Sequence, residues 1–237
     1  MVSYQKFGQF YDAIMGDRIN SAKLVRSLLR KYCPRCKSLL ELACGTGSVL
    51  LPLSKYYTVY GLDLSPKMLT KAKQKLPGIK LYRQDMSSFS INKKFDAIIC
   101  VFDSLNHLKK WTDWKRTFNK VHKHLNEGGV FLFDVNMEAK FRDLAAQPPW
   151  VHEFEDNLLI MNVSCDRKGL STWNIKVFEH QKAGLFKLHE ENIYEQAFPY
   201  TKIEKELRQK FKKVNALDVS TDKVSPQSKN LHFICVK

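Results

Sequence analysis

Residues 39–49 read LLELACGTGSV, an apolar run followed by two glycines one residue apart, and the residues beyond look helical. Glycine in such a turn lets the backbone approach a ligand closely. A dinucleotide fingerprint would place a third glycine three residues after Gly47, where the chain has Leu50. A phosphate-cradling loop would end in Gly-Lys-Ser/Thr, which is absent. The turn is therefore not built to lay a pyrophosphate on a helix N-terminus. Downstream, Asp63 ends the next strand pattern, where a carboxylate accepts hydrogen bonds from both hydroxyls of a ribose. Asp85 and Met86 end the third, offering an acid for an exocyclic amino group and an apolar side chain for the face of an adenine. Together these residues describe an adenosine pocket without a diphosphate. His107 follows the fourth strand pattern on the same side of the sheet, and its near-neutral pKa makes it a candidate general base.

The elements that must position these residues alternate between helix and strand. Ile19, Ala22, Val25, Leu28 and Tyr32 recur at a helical period that Pro34 stops. SLLELAC is a strand, a helix follows Gly47, and TVYGLDL (58–64) is a second strand. Ser65 caps a helix with Pro66 in its first turn, and Pro77-Gly78 ends it. IKLYRQD and FDAIICVF are the third and fourth strands. Trp114, Phe118, Val121 and Leu125 mark a helix closed by Gly128-Gly129, and VFLFDV is the fifth strand. Short apolar strands between helices predict a parallel sheet covered on both faces.

After Asn136 the pattern changes. A short helix (137–144) leads into WVHEF, LLIMNVSC, LSTWNIKVFEHQ and GLFKLHEENIYEQAF, rich in aromatic and β-branched residues and punctuated by turns. They predict an antiparallel sheet over about 150–198. Trp150, Trp173 and Tyr194 are available there either as walls of an acceptor pocket or as the sheet's own core. TKIEKELRQKF restores a helix, with Thr201 and Glu204 at capping-box spacing. KVNALDV and LHFICVK form a last strand pair around the polar loop 220–230.

ELACGTGS, GLDLSPKML and QDMSSF, in this order and spacing, resemble the class I S-adenosylmethionine-dependent methyltransferases over residues 37–136. The resemblance implies an α/β fold, a Rossmann-like seven-stranded sheet with helices on both faces and a last strand running antiparallel. Here an antiparallel β insertion follows strand five. It implies S-adenosylmethionine as cofactor, with Glu41, Ala43, Gly45 and Gly47 at its methionine end, Asp63 and Leu64 at the ribose, Asp85 and Met86 at the adenine, and Val101 beyond strand four. YDAIMGD, VFDSLNHL and the late β insertion are similar to small-molecule N-methyltransferases, including those acting on amino sugars. That similarity implies Tyr4 and Tyr11 as a cover over the cofactor and His107 as general base. The sugar enzymes carry an acidic-Pro-Trp segment after strand five, whereas this chain has DVNM.

Methyl transfer from a sulfonium is an in-line displacement whose reactive group the cofactor carries. The protein must orient the acceptor, which is worth about 7–11 kcal/mol, and exclude water. An ammonium acceptor must also lose a proton, so an amine gives His107 work to do. The residues leave N, O and C open as the methylated atom.

The 237 residues suit a single methyltransferase domain, with a core at about 18–136 and 200–237 and an insertion or lid at about 137–199. A hydrophobic fraction of 44% excludes a disordered chain. The N-terminal stretch has no apolar signal region and no run long enough to span a bilayer, so a cytoplasmic protein without membrane contact is expected. Cys44, Cys100 and Cys235 read as small core residues. CPRC (Cys33, Cys36) lacks the partners of a zinc site, and no metal is expected. A net charge of +15 suits acidic partners, but the lysines are scattered along the wet faces of helices. The expected partner is a small-molecule methyl acceptor. The alternatives are nucleic acid, against which the absence of an Asn/Asp-Pro-Pro-aromatic signature counts, and a non-catalytic cofactor-binding role. The sheet insertion offers an edge for a possible homodimer.

Overall fold

The computed structural model describes residues 4–237 apart from 219 and 222. An N-terminal arm with a 3-10 turn (Phe7–Gln9) and a short helix α1 (Tyr11–Met15) leads into α2 (Ile19–Tyr32). Then follow β1 (Ser38–Leu42), α3 (Leu50–Leu53), β2 (Thr58–Asp63), α4 (Pro66–Lys75), β3 (Lys80–Arg83) and β4 (Phe95–Cys100). A 3-10 turn at Ser104–His107 precedes α5 (Trp111–His124), β5 (Leu125–Asn136) and α6 (Glu138–Ala145). Four strands come next: β6 (Trp150–Phe154), β7 (Asn157–Cys165), β8 (Leu170–His180) and β9 (Phe186–Gln196). The chain closes with α7 (Tyr200–Arg208), β10 (Lys213–Leu217) and β11 (Asn230–Val236).

The large sheet has seven strands in the order β10-β11-β5-β4-β1-β2-β3. Pairings among β3, β2, β1, β4 and β5 are parallel, and β11 runs antiparallel to both β5 and β10. The expected seven-stranded α/β sheet with a reversed last strand is what forms. Its strands are apolar on both faces because two cores flank them. One gathers Trp114, Phe118, Phe131, Phe133 and Phe233; the other packs Val25, Leu29, Leu50, Leu53 and Ile99. The strands β6-β7-β8-β9 form a separate antiparallel sheet, as the aromatic and β-branched stretches of 150–198 predict.

Several local expectations are corrected. The helix after Gly47 is a single turn. The seam of α2 runs through Ala22, Val25 and Leu29, while Ile19 is exposed. Helix α5 stops at His124, and Gly128 and Gly129 fall inside the extended segment of β5 instead of closing the helix. No Thr201–Glu204 capping box forms: Pro199 is the N-cap, so Thr201 is already inside α7, and Glu204 pairs with Arg208. Ser65 does cap α4, accepting from the Met68 N–H. The expected end of strand ten at 219, and residue 222 of the polar loop, lie outside the described residues.

Candidate functional site

The turn after β1 carries three residues with positive φ: Ala43, Gly45 and Gly47. At Gly47 a Cβ would lie 2.6 Å from Leu76 Cδ1, so this glycine lets the turn pack against the end of α4. The Gly45 N–H donates to Asp63 Oδ2 (2.8 Å), and the Ser65 N–H donates to Asp63 Oδ1 (2.7 Å). One carboxylate thus ties the glycine turn to the N-terminus of α4. Burial raises the Asp63 pKa, opposed by these backbone donors.

A cavity of about 350 Å3 opens above this turn. Tyr4, Tyr11, Glu41, Ala43, Gly45, Asp63, Leu64, Asp85, Met86, Val101 and His107 all line it. Gly47 does not, because its role is packing. Glu41 is buried, and its Oε2 has no hydrogen-bond partner among the described residues. Burial, then the nearby Asp63, pushes its pKa well above the usual range. Asp85 Oδ1 accepts from the Ser87 N–H and hydroxyl, both at 2.7 Å, which leaves Oδ2 free to accept.

The N-terminal arm closes one side. Glu191 on β9 accepts from the backbone N–H groups of Gln5, Lys6 and Phe7, each at 2.9 Å. Lys67 and Lys71 on α4 donate to the Gln5 and Gln9 carbonyls. Phe7 and Phe10 bury themselves against the antiparallel sheet. Asp12 accepts from the Thr46 and Ser48 hydroxyls and pairs with Lys75 at 2.8 Å, so the arm is also fastened to the glycine turn. Burial works against the Asp12 carboxylate, but these donors hold its pKa below the usual value.

Held this way, Tyr4 places its hydroxyl 3.2 Å from His107 Nε2, with the two rings edge to face. On the other side His107 Nδ1 lies 3.4 Å from the Tyr194 carbonyl. A carbonyl only accepts, so the proton sits on Nδ1 and Nε2 presents its lone pair. Burial lowers the His107 pKa to about 4, so the ring is neutral at physiological pH. The Tyr4 hydroxyl stays protonated, its pKa raised first by burial.

Beside this pair is a group of carboxyls that the motifs do not reveal, Asp134 and Glu195 buried and Asp103 half-buried. The Asp103 N–H donates to Asp134 Oδ1, and Asn136 Nδ2 donates to Asp103 and to Glu195. Burial, then Asp134, raises Asp103 to about 7. Burial, then Asp103, raises Glu195 well above its usual range.

Residues 39–129 match the family model described as a methyltransferase domain. A protein of Bacillus subtilis (strain 168) named "Putative methyltransferase YqeM" is 30% identical over 97% of this chain and 95% of its own length. The crystal structure of an S-adenosylmethionine-dependent methyltransferase from Clostridium acetobutylicum ATCC 824 superposes with a TM-score of 0.84. It is 28% identical, covering 99% of this chain and 98% of that one. The chain belongs to the S-adenosylmethionine-dependent methyltransferases. A further relative is the dTDP-3-amino-3,4,6-trideoxy-alpha-D-glucopyranose N,N-dimethyltransferase of Streptomyces venezuelae. It is 34% identical over 53% of this chain, and the match spans about half of the relative's own length, 53%.

The cofactor of this methyltransferase is S-adenosylmethionine, and the cavity suits its chemistry. It offers a buried carboxylate oxygen without a partner, at Glu41, for a cationic group. It also offers acceptor capacity on Asp63 and Asp85 and an apolar wall at Met86 and Val101. Sequence reasoning missed Arg18, which also lines the cavity and whose Nη2 is buried without a hydrogen-bond partner among the described residues. It also missed Asp12 and Glu191, which act on the arm. Trp150, Trp173 and Tyr194 do not line the cavity. Trp173 packs with the antiparallel sheet's own core, Trp150 is exposed, and Tyr194 contributes its backbone carbonyl.

Proposed function

We propose that this methyltransferase transfers its methyl group to an amine of a small-molecule acceptor, with His107 as general base. The observation that carries this reading is the Tyr4–His107–Tyr194 carbonyl chain at the cavity wall, with Nε2 unprotonated. When bound, S-adenosylmethionine supplies an electrophilic methyl group on a sulfonium. Glu41 and Arg18 hold the ammonium and carboxylate of its methionine end, Asp63 the ribose, and Asp85 with Met86 the adenine. Gly45 and Ala43 line the turn, Leu64 and Val101 supply apolar wall, and Tyr4 and Tyr11 cover the site. A cation placed beside Asp103 and Glu195 favours their ionised form, so these carboxyls near Tyr4 suit a cationic acceptor. His107 Nε2 takes a proton from the ammonium as the acceptor displaces the Tyr4 hydroxyl, leaving the amine lone pair free to attack. Within a single domain, the insertion over about 137–199, which contains the antiparallel sheet, serves as lid, and its β9 holds both the arm and His107.

The likeness to an amino-sugar N,N-dimethyltransferase supports an amine on a small polar acceptor. The test is methyl transfer from labelled S-adenosylmethionine to a panel of amino sugars and other primary amines, beside hydroxyl analogues and oligonucleotides. Label on amines only, abolished in His107→Ala, is the expected result. Label on hydroxyls or nucleic acid instead would refute the amine reading.

A further inference from the structure

A second cavity, of about 640 Å3, shares Arg18 and Ser48 with the first and is otherwise walled by α2, α3 and the turn that follows α3, together with Asp12 of α1, the Gly16-Asp17 loop and Lys75 at the end of α4. Its rim is basic. Lys23 and Arg26 from α2 and Lys55 beyond α3 line it, and none of the three forms a salt bridge among the described residues. The two carboxylates on its wall are already engaged. Asp12 is taken by Lys75 and two hydroxyls, and Asp17 Oδ1 accepts the Ile19 N–H. Five cationic side chains (Arg18, Lys23, Arg26, Lys55 and Lys75) against two carboxylates leave an excess of positive charge round a concave surface, which focuses an attractive field for anions.

The cavity also carries a flat apolar floor. The Arg26 guanidinium stacks 3.6 Å over the Tyr56 ring. Tyr56 is still 52% exposed, and Leu51 nearby is 45% exposed. A stacked guanidinium is fixed in orientation, so its in-plane N–H groups make a preset fork for phosphate oxygens. An exposed tyrosine face next to it accepts a second planar group.

We propose that this cleft, formed by Lys23, Arg26, Lys55 and Tyr56, is a second binding site, taking a nucleotide-type ligand: a phosphate on the cationic rim and an aromatic ring on the Tyr56–Leu51 floor. It is distinct from the cofactor pocket, which has its own adenosine-binding residues, and it stands whether or not the acceptor is an amine.

The test is calorimetric titration of the full chain with ADP, after saturation with S-adenosylhomocysteine so that the probe cannot enter the first cavity. Adenosine and a short oligoribonucleotide serve as comparison probes. One ADP per chain is expected, with adenosine at least about tenfold weaker and ADP weakened by added salt. The double variant Lys23→Ala/Arg26→Ala should weaken ADP by at least about tenfold while S-adenosylhomocysteine affinity stays within about twofold, which also shows that it folds. ADP binding unchanged in the double variant, no ADP binding at about 1 mM, or binding of the oligoribonucleotide alone would each overturn the proposal. If S-adenosylhomocysteine itself does not bind, the cofactor assignment is at fault, and ADP binding to the double variant still decides the cleft.

Discussion

The Tyr4 hydroxyl and His107 Nε2 are 3.2 Å apart, joining the N-terminal arm to a turn 103 residues later. In the proposed reaction this contact makes the arm part of the site. His107→Ala should lower kcat by about 10²–10⁴-fold, the range for a positioned acid or base, with S-adenosylhomocysteine affinity unchanged. Tyr4→Phe leaves the imidazole in place and removes only a hydroxyl that the acceptor displaces, so kcat should stay within about tenfold of the wild type. Steady-state kinetics on an accepted amine, paired with a binding titration, checks both.

The pH dependence follows from the burial of His107. A free histidine would protonate near 6.5, but here the base form persists down to about 4. The limb of kcat/KM that belongs to His107 in the free enzyme should therefore fall as pH drops through about 4, not through 6.5. A full pH profile beside that of His107→Ala, which should lack this limb, isolates it.

Glu41 should couple cofactor binding to protons. Its pKa is raised by burial, so the free protein holds a proton there at pH values where an exposed glutamate is ionised. An ammonium placed beside it favours the carboxylate. Binding then releases a proton, and affinity rises with pH until Glu41 ionises in the free protein as well. Calorimetry in buffers of different ionisation enthalpy should show this release for the wild type and none for Glu41→Gln.

Glu191→Ala should loosen the arm without unfolding the sheet. Three backbone N–H groups lose their acceptor, roughly 1–2 kcal/mol of docking energy. Amide exchange at residues 5–10 should speed up, and S-adenosylhomocysteine should bind more weakly. Unchanged exchange there would show that Phe7 and Phe10 hold the arm by packing alone.

The large sheet was legible because its strands are apolar on both faces and separated by turn residues, and the glycine turn and Asp63 lie at strand ends on one cavity wall. Asp85 is on the same wall but two residues past the end of β3 at Arg83 instead of ending it. What escaped was whatever depends on contacts between distant segments. Nothing local to Asp12, Arg18 or Glu191 says that the arm will fold back onto the glycine turn and β9. Asp103 and Glu195 meet only because β9 passes beside the turn after β4. Gly47 has the same local pattern as Gly45, but the first faces Leu76 and the second faces the cavity. The absent capping box at Thr201 has a local cause: Pro199 starts α7 before Thr201 can cap it.

The most direct measurement is calorimetric titration with S-adenosylhomocysteine of the wild type and Asp63→Ala, with NAD as control. Asp63 joins the glycine turn to α4 and faces the cavity, so the variant tests the pocket at its centre. One-to-one binding to the wild type, at least about tenfold weaker in the variant and absent for NAD, is the expected result. Equal affinity in a folded Asp63→Ala, or no binding to wild type freed of carried-over cofactor, would contradict this account of the site.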